Sequence, residues 1–416
     1  MAKFPDIGQS VAVSGKSLGH YPFTSAMSGT RADKGKQRAM MAHITVDVVS
    51  DVAGLRQLGR EWHELERLSP PSAVFQSHSL LALWADAFMQ SAGGSRTLSI
   101  AAVREKGTLK LLLPVVLTGK TGMQVGHIAG TPIAQYSEIL ADPSGPIELY
   151  FQTALDGLRR AGADLLMFEG VRADSLLQRA LGGRSDRPMN ARLAPFANLS
   201  ATPDHAALLR SRSKNLSKGL RNRRNQIDKI GDVRFEVIKG GPEAREAIST
   251  AIGLKREWLV EHGNVSRAFM DGTTTECLLD LAENCPEAVV LRMTLDGEQA
   301  AIRLGLEHRG AFFAYLSAYD TRLAQYSPGK LLMDFSFQAA RERGAQVFDM
   351  LAPDGEHKRD WCSEAVPVAD HAVPLTVKGR AYLTIIEQGL RPTLSWTWHH
   401  LPPRVRGVLA PLFLKV

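Results

Sequence analysis

Apolar runs and period-two alternation divide the chain into short strands separated by stretches of helical spacing. His43–Val49, Thr97–Val103 and Thr108–Leu117 read as strands, the last two joined by a hairpin turn at Lys106-Gly107. Asp51 is placed to cap a helix carrying Leu55, Leu58, Trp62 and Leu65, and a second helix runs through Leu80, Leu81, Leu83, Trp84 and Phe88. Weaker strand patterns lie at Gln124–Ile128 and Ile139–Leu140, followed by a helix over Pro146–Arg160 and a strand at Leu165–Glu169. The pattern then restarts. Val233–Ile238 is a strand, Glu243–His262 a helix, and a short helix surrounds Leu278, Leu279 and Leu281. Val289–Leu295 and Ala300–Glu307 form a hairpin across Asp296-Gly297, a strong turn pair. Phe312–Ser317 is an aromatic-rich strand, and a helix begins at Pro328 with Ser327 at its N-cap and ends at Gly344. Gln346–Leu351 returns as a strand. The stretch from Val366–Val368 to Val373–Leu375 reads as a last strand pair or an extended segment, and Lys378–Leu390 as a helix.

Two helix-to-strand junctions match. Arg159-Arg160-Ala161-Gly162-Ala163-Asp164 leads into Leu165–Glu169, and Arg341-Glu342-Arg343-Gly344-Ala345-Gln346 leads into Val347–Met350. Each follows an apolar hairpin, so the sequence predicts an internal duplication. The expected fold is α+β, an α/β sandwich of two similar units, each a strongly bent sheet with helices on its faces. The boundaries predicted are a tail at 1–42, domains at 43–202 and 231–390, a basic connecting helix at 203–230 and a second tail at 391–416.

Charge sharpens this picture. The chain has 416 residues and a net charge of +7, and the surplus concentrates between Asp204 and Asp228, a stretch without an acidic residue. There Leu209, Leu216, Leu220 and Ile227 share one helical face, while Lys214, Lys218 and Arg221 share another and are candidates to bind an anionic substrate. No aromatics interleave with these bases, which argues against nucleic-acid stacking. Cys277, Cys285 and Cys362 show no metal-ligand spacing and read as buried thiols of a protein in a reducing, cytoplasmic compartment. No apolar run reaches bilayer length. The 391–416 tail, with Trp396 and Trp398, is expected to dock on the body or to touch a lipid surface or secretion complex.

Tyr326-Ser327-Pro328-Gly329-Lys330 places free amide groups and a lysine at a helix start, a natural phosphate site. The following strand ends near Asp349 and is succeeded by Glu356, His357, Lys358 and Trp361. Together with Trp62, Val74–Ser77, Trp84 and the basic helix, these motifs resemble the GNAT-type acyltransferases of the double-domain CelD/BcsL type, over roughly residues 44–380. That family is similar in turn to the FemABX aminoacyl transferases. The resemblance implies two tandem GNAT-like domains and an acyl-CoA co-substrate, acetyl-CoA in the simplest case, without a metal. It implies a donor thioester lying along Ala314 to Ser317, with Leu316 and Ser317 as contacts, and a diphosphate on Tyr326 to Lys330, with Tyr326, Ser327, Gly329 and Lys330 as contacts. Two departures stand out: only Gly329 supplies glycine in the phosphate turn, and His357 occupies the position usually held by tyrosine.

Acyl transfer needs a base, a polarised carbonyl and a protonated leaving thiol. Asp349, Glu356 and His357 are the candidate bases, with Asp349 preferred. Lys358 is the electrostatic partner, and Tyr315 and Trp361 are substrate contacts. The expected acceptor is a small molecule or glycan precursor. An aminoacyl-tRNA donor and a non-catalytic scaffold in polysaccharide secretion are the alternatives. The chain lacks the spacing of zinc hydrolases, serine-hydrolase elbows, phosphate-binding Walker loops and dinucleotide fingerprints.

Overall fold

A computed structural model describes residues 43–90, 96–120, 122–183, 188–212, 214–261 and 271–385. The tails expected at 1–42 and 391–416 lie outside the described residues, as does the end of the helix expected over Lys378–Leu390.

The first half begins with β1 (Ile44–Val49), α1 (Val52–Gln57), α2 (Gly59–Glu66), a 3-10 turn at Pro71–Gln76 and α3 (His78–Gln90). It continues through β2 (Arg96–Glu105), β3 (Thr108–Lys120), β4 (Met123–Ile128), β5 (Leu140–Ala141), α4 (Ile147–Arg160), β6 (Leu165–Arg172), α5 (Leu176–Leu181) and β7 (Met189–Asn198). Two linking helices, α6 (His205–Ser211) and α7 (Lys214–Ile227), lead to β8 (Val233–Ile238), α8 (Gly241–Glu261), α9 (Gly272–Asn284), β9 (Ala288–Leu295), β10 (Glu298–His308) and β11 (Ala311–Tyr319). After a 3-10 turn at Thr321–Tyr326 come α10 (Pro328–Glu342), β12 (Val347–Asp349), α11 (Glu356–Arg359), β13 (Glu364–Pro374) and α12 (Val377–Tyr382).

The strands form one mixed sheet in the order β1-β2-β3-β4-β6-β13-β7-β12-β11-β10-β9-β8, with β5 paired to β3. The order reads the same from either end. Four antiparallel strands are followed in each half by a parallel partner, β6 on β4 and β12 on β11, reached through α4 or α10. The duplication predicted from the two junctions therefore appears as matched topology: two tandem GNAT-like units with helices on both faces of the sheet. The next strand is exchanged. β7 pairs with β12 of the second half, β13 pairs with β6 of the first, and the two run antiparallel at the centre.

Alternating residues of β2 feed opposite faces: Leu98, Ile100 and Ala102 pack toward α3, whereas Ala101 and Val103 pack toward α4. On the first of these faces one apolar core crosses the middle of the molecule. Phe75 of the 3-10 turn meets Tyr136, Phe313 and Tyr315 with ring centroids 5.6, 5.7 and 6.3 Å away. Leu216, Leu220 and Ile227 of α7 are buried, as their helical spacing requires.

Local expectations change in places. The single connecting helix expected over 203–230 is two helices, α6 and α7, because Arg212 turns to an extended conformation at the end of α6. The helix expected to run from Asp51 past Leu65 is broken into α1 and α2 at Leu58, although Asp51 does cap it by accepting the Gly54 N–H at 2.7 Å. Of the strand pair or extended segment expected from Val366–Val368 to Val373–Leu375, the structure has the second, a single strand, β13, with partners on both sides and a register shift between Ala369 and His371.

Candidate functional site

β11 and β12 pair only at Ala311–Val347, Phe312–Phe348 and Phe313–Asp349. β12 then stops, while β11 continues to Tyr319 with that edge open. A bulge lies at the point of parting: Leu304 of β10 faces Leu316, whereas Gly305 faces Ala314, so Tyr315 is an extra residue. Glycine is required opposite it, since a Cβ on Gly305 would lie 2.2 Å from the Phe312 ring. The bulge re-aims the strand. Ala314, Tyr315, Ser317 and Tyr319 line a cavity of about 540 Å³, and Leu316 and Ala318 turn into the core.

The start of α10 forms a second wall. Ser327 adopts φ 52° and ψ 55°, the left-handed region, and no side chain caps the helix. The Lys330 N–H folds back onto the Ser327 carbonyl at 2.9 Å, and among the described residues no acceptor meets the Gly329 N–H. Ser327, Gly329 and Lys330 all line the cavity. A free amide at the positive end of a 15-residue helix attracts anions.

The third wall is the loop after β12. The Lys358 ammonium donates to the carbonyls of Leu351 at 2.7 Å and Pro353 at 2.6 Å, which fixes it against the cavity. Burial lowers its pKa below the usual lysine value. His357 stands at the rim, its pKa lowered by burial and by the neighbouring Lys358 and Arg303 cations, so its imidazole is neutral at pH 7. Trp361, 2% exposed, anchors this loop. It ends an aromatic stack through Phe337, Phe348 and Phe312, with successive centroids 5.1, 3.9 and 4.8 Å apart. Gln135 of the first half and Lys255 of α8 complete the lining. Among the described residues no carboxylate lines it.

The structure thus gathers Tyr315, Ser317, Ser327, Gly329, Lys330, Lys358 and Trp361 around one cavity. Other expected site residues stand elsewhere. Leu316 is buried in the core, Tyr326 packs against the apolar layer under α10, and Glu356 is exposed at the start of α11 outside the lining. Lys218 and Arg221 are exposed on α7, and the Lys214 side chain lies outside the described residues.

Asp349 is 1% exposed and does not line the cavity. One of its oxygens accepts from the Tyr136 hydroxyl at 2.9 Å and the Leu351 N–H at 2.7 Å, and the other accepts from Arg172. Burial pushes its pKa up against the pull of Arg172 and these hydrogen bonds. Asp174 holds the far side of Arg172 through two bonds of 2.9 Å. Tyr136 and Arg172 belong to the first half, so this cluster ties the halves together.

Sequence reasoning passed over Arg303, Lys255 and Gln135. Only Arg303 carries a visible signal, a lone cation inside the apolar run Ala300–Leu306. Among the described residues there is no group of three or more His, Cys, Asp or Glu that could hold a metal, and no helix long and apolar enough to cross a membrane.

Residues 214–359 match the family model described as "Acetyltransferase (GNAT) domain". The match assigns an acyltransferase-type domain to the segment that supplies nearly all of the cavity lining. No curated protein gives a significant match. Among solved structures, the crystal structure of FemX superposes with a TM-score of 0.58 at 12% identity, over 79% of this chain and 98% of that one. A conserved protein of unknown function from Bacteroides thetaiotaomicron gives a TM-score of 0.50 at 12% identity, over 79% of this chain and 100% of that one. A tandem GNAT protein from the clavulanic acid biosynthesis pathway gives 0.43 at 9% identity, over 80% of this chain and 99% of that one. At these identities the first two likenesses speak to the fold alone.

Proposed function

We propose that the protein transfers an acyl group, acetyl in the simplest case, from acyl-CoA to an amine or hydroxyl of a sugar, polysaccharide precursor or related small acceptor, as the CelD/BcsL-type resemblance implies. One observation carries this reading: an open strand edge and an uncapped helix start face the same cavity, inside the segment that matches the acetyltransferase domain. Bound acyl-CoA would supply the activated carbonyl. Gly329 and Lys330 hold the diphosphate, and the free edge of β11 receives the extended arm and its carbonyl. His357 takes the proton from the attacking amine or hydroxyl, and Lys358 stabilises the negative charge that builds on the carbonyl oxygen. As the carbon–sulfur bond breaks, the proton passes to the departing thiolate. His357 takes the base role in this scheme because Asp349 has both oxygens engaged away from the cavity.

Titration calorimetry with acetyl-CoA tests the donor site. Saturable binding is expected, weakened roughly tenfold or more in Gly329→Glu, which sets a carboxylate where the diphosphate sits. Absence of binding to the unaltered protein defeats the acyl-CoA reading. The pH profile tests the base. Because the pKa of His357 is lowered, kcat/KM should rise with pH through a midpoint below the ordinary histidine value, and His357→Gln should remove that limb.

An aminoacyl-tRNA donor is favoured by one feature. The exposed Lys218 and Arg221 of α7 make no ion pair among the described residues, and a groove lined by Gly219, Arg223, Lys330 and Asp360 joins α7 to the start of α10. Binding of charged tRNA without binding of acetyl-CoA would select this reading.

A further inference from the structure

Arg303 extends from the middle of β10 and is 3% exposed. Its Nε donates to the Ser317 hydroxyl at 2.8 Å and its Nη1 to the Met333 sulfur at 2.9 Å. Both acceptors are neutral, and one is a thioether. A guanidinium carries five N–H groups. Among the described residues none of those on Arg303 meets a carboxylate or a carbonyl. Burial lowers its pKa to about 10.

An unpaired charge buried this deeply is costly to the fold, and a structural role would supply it with an anion, as Asp349 and Asp174 supply Arg172. Arg303 lines the cavity instead. The groups facing the same space from other elements are Lys255 on α8, Lys330 on α10, and His357 and Lys358 on α11, with no acid among the lining residues. At the α10 N-terminus the Lys330 ammonium has the Asp360 carboxylate 3.6 Å away. Arg303 has no such counter-ion among the described residues, beside Ser317 on the open part of β11, where the reacting end of the substrates would meet.

We propose that Arg303 is the docking group for a ligand carboxylate, so that one of the reacting partners carries an acid close to the transferred group. This rests on the acyltransferase reading and narrows its substrate class. A planar carboxylate matches the guanidinium fork through two parallel hydrogen bonds. The carboxylate has two possible carriers: an acceptor such as an amino acid or acidic sugar, or a dicarboxylic acyl group on the donor.

The experiment measures binding to the full chain and to Arg303→Met by calorimetry. The probes are acetyl-CoA, succinyl-CoA, and a panel of N-acetyl amino acids with their carboxamides. The expected result is that Arg303→Met weakens either succinyl-CoA or the N-acetyl amino acids about 100-fold while acetyl-CoA and the carboxamides are little affected. Whichever set responds identifies the carrier. The melting temperature should hold or rise, because a buried unpaired cation has been replaced by an apolar chain of similar length.

Three results overturn the proposal: equal weakening of acetyl-CoA and succinyl-CoA, which would give Arg303 to the diphosphate; no preference of the unaltered protein for any carboxylate over its neutral counterpart; or a fall of several degrees in melting temperature with all binding unchanged. Retained acetyl-CoA binding in any of these cases leaves the acyltransferase reading standing. Its absence defeats that reading separately.

Discussion

Lys358→Met should lower kcat by about 10²- to 10³-fold, the cost of removing one group aimed at developing oxyanion charge, while changing the KM for acyl-CoA much less. The ammonium is held in the cavity wall by the Leu351 and Pro353 carbonyls. The pH dependence separates this role from a purely structural one. Burial depresses the lysine pKa, and in the proposed scheme the cation is the active form, so activity of the unaltered protein should fall as pH rises through a midpoint below the usual lysine value. The residual activity of Lys358→Met should lack that alkaline limb. Steady-state thiol release across pH measures both effects. A variant that keeps the limb, or loses activity only in proportion to lost folded protein, removes Lys358 from the chemistry.

Arg172→Met should destabilise the fold by about 3–5 kcal/mol, the usual result of leaving one member of a buried ion pair alone. Asp349 would keep the Tyr136 hydroxyl and the Leu351 N–H but lose its counter-ion. Its folded pKa, already raised by burial, would rise further. An acid with a raised folded pKa favours folding when protonated, so the deficit should be smallest at acid pH and grow as pH rises through that pKa. Adding Asp349→Asn to Arg172→Met should recover part of the loss, because the uncompensated charge is gone. Urea unfolding of the two single variants and the double variant completes the cycle. Additive losses would mean that the two side chains are not coupled across the halves.

These expectations show what a single sequence exposes. The hairpins at Lys106-Gly107 and Asp296-Gly297 were legible because their turns require positive φ, and all four residues adopt it. The helix start at Pro328 was legible because proline is favoured at the first helical position. β7 was not. Its sequence, Met189–Asn198, contains Arg192 and Pro195 and has no steady alternation, since its surroundings come from strands far away in the chain. The same distance hid the fate of Asp349. Position at the end of a strand suggested catalysis, but its partners Tyr136 and Arg172 lie 213 and 177 residues away. The cavity-lining role of Arg303 was hidden in the same way, since nothing local shows that no acid packs against it.

The strand exchange at the centre of the sheet bears on how such a molecule could have arisen and how it can be altered. A duplicated ancestor would have closed each copy with its own last strand. Here each copy is completed by the other, so natural or laboratory recombination that swaps one half for a distant relative must also match the edge it lends. Splitting the gene at the linker would yield two pieces, each with a gap shaped for the other, and neither could serve as a portable module.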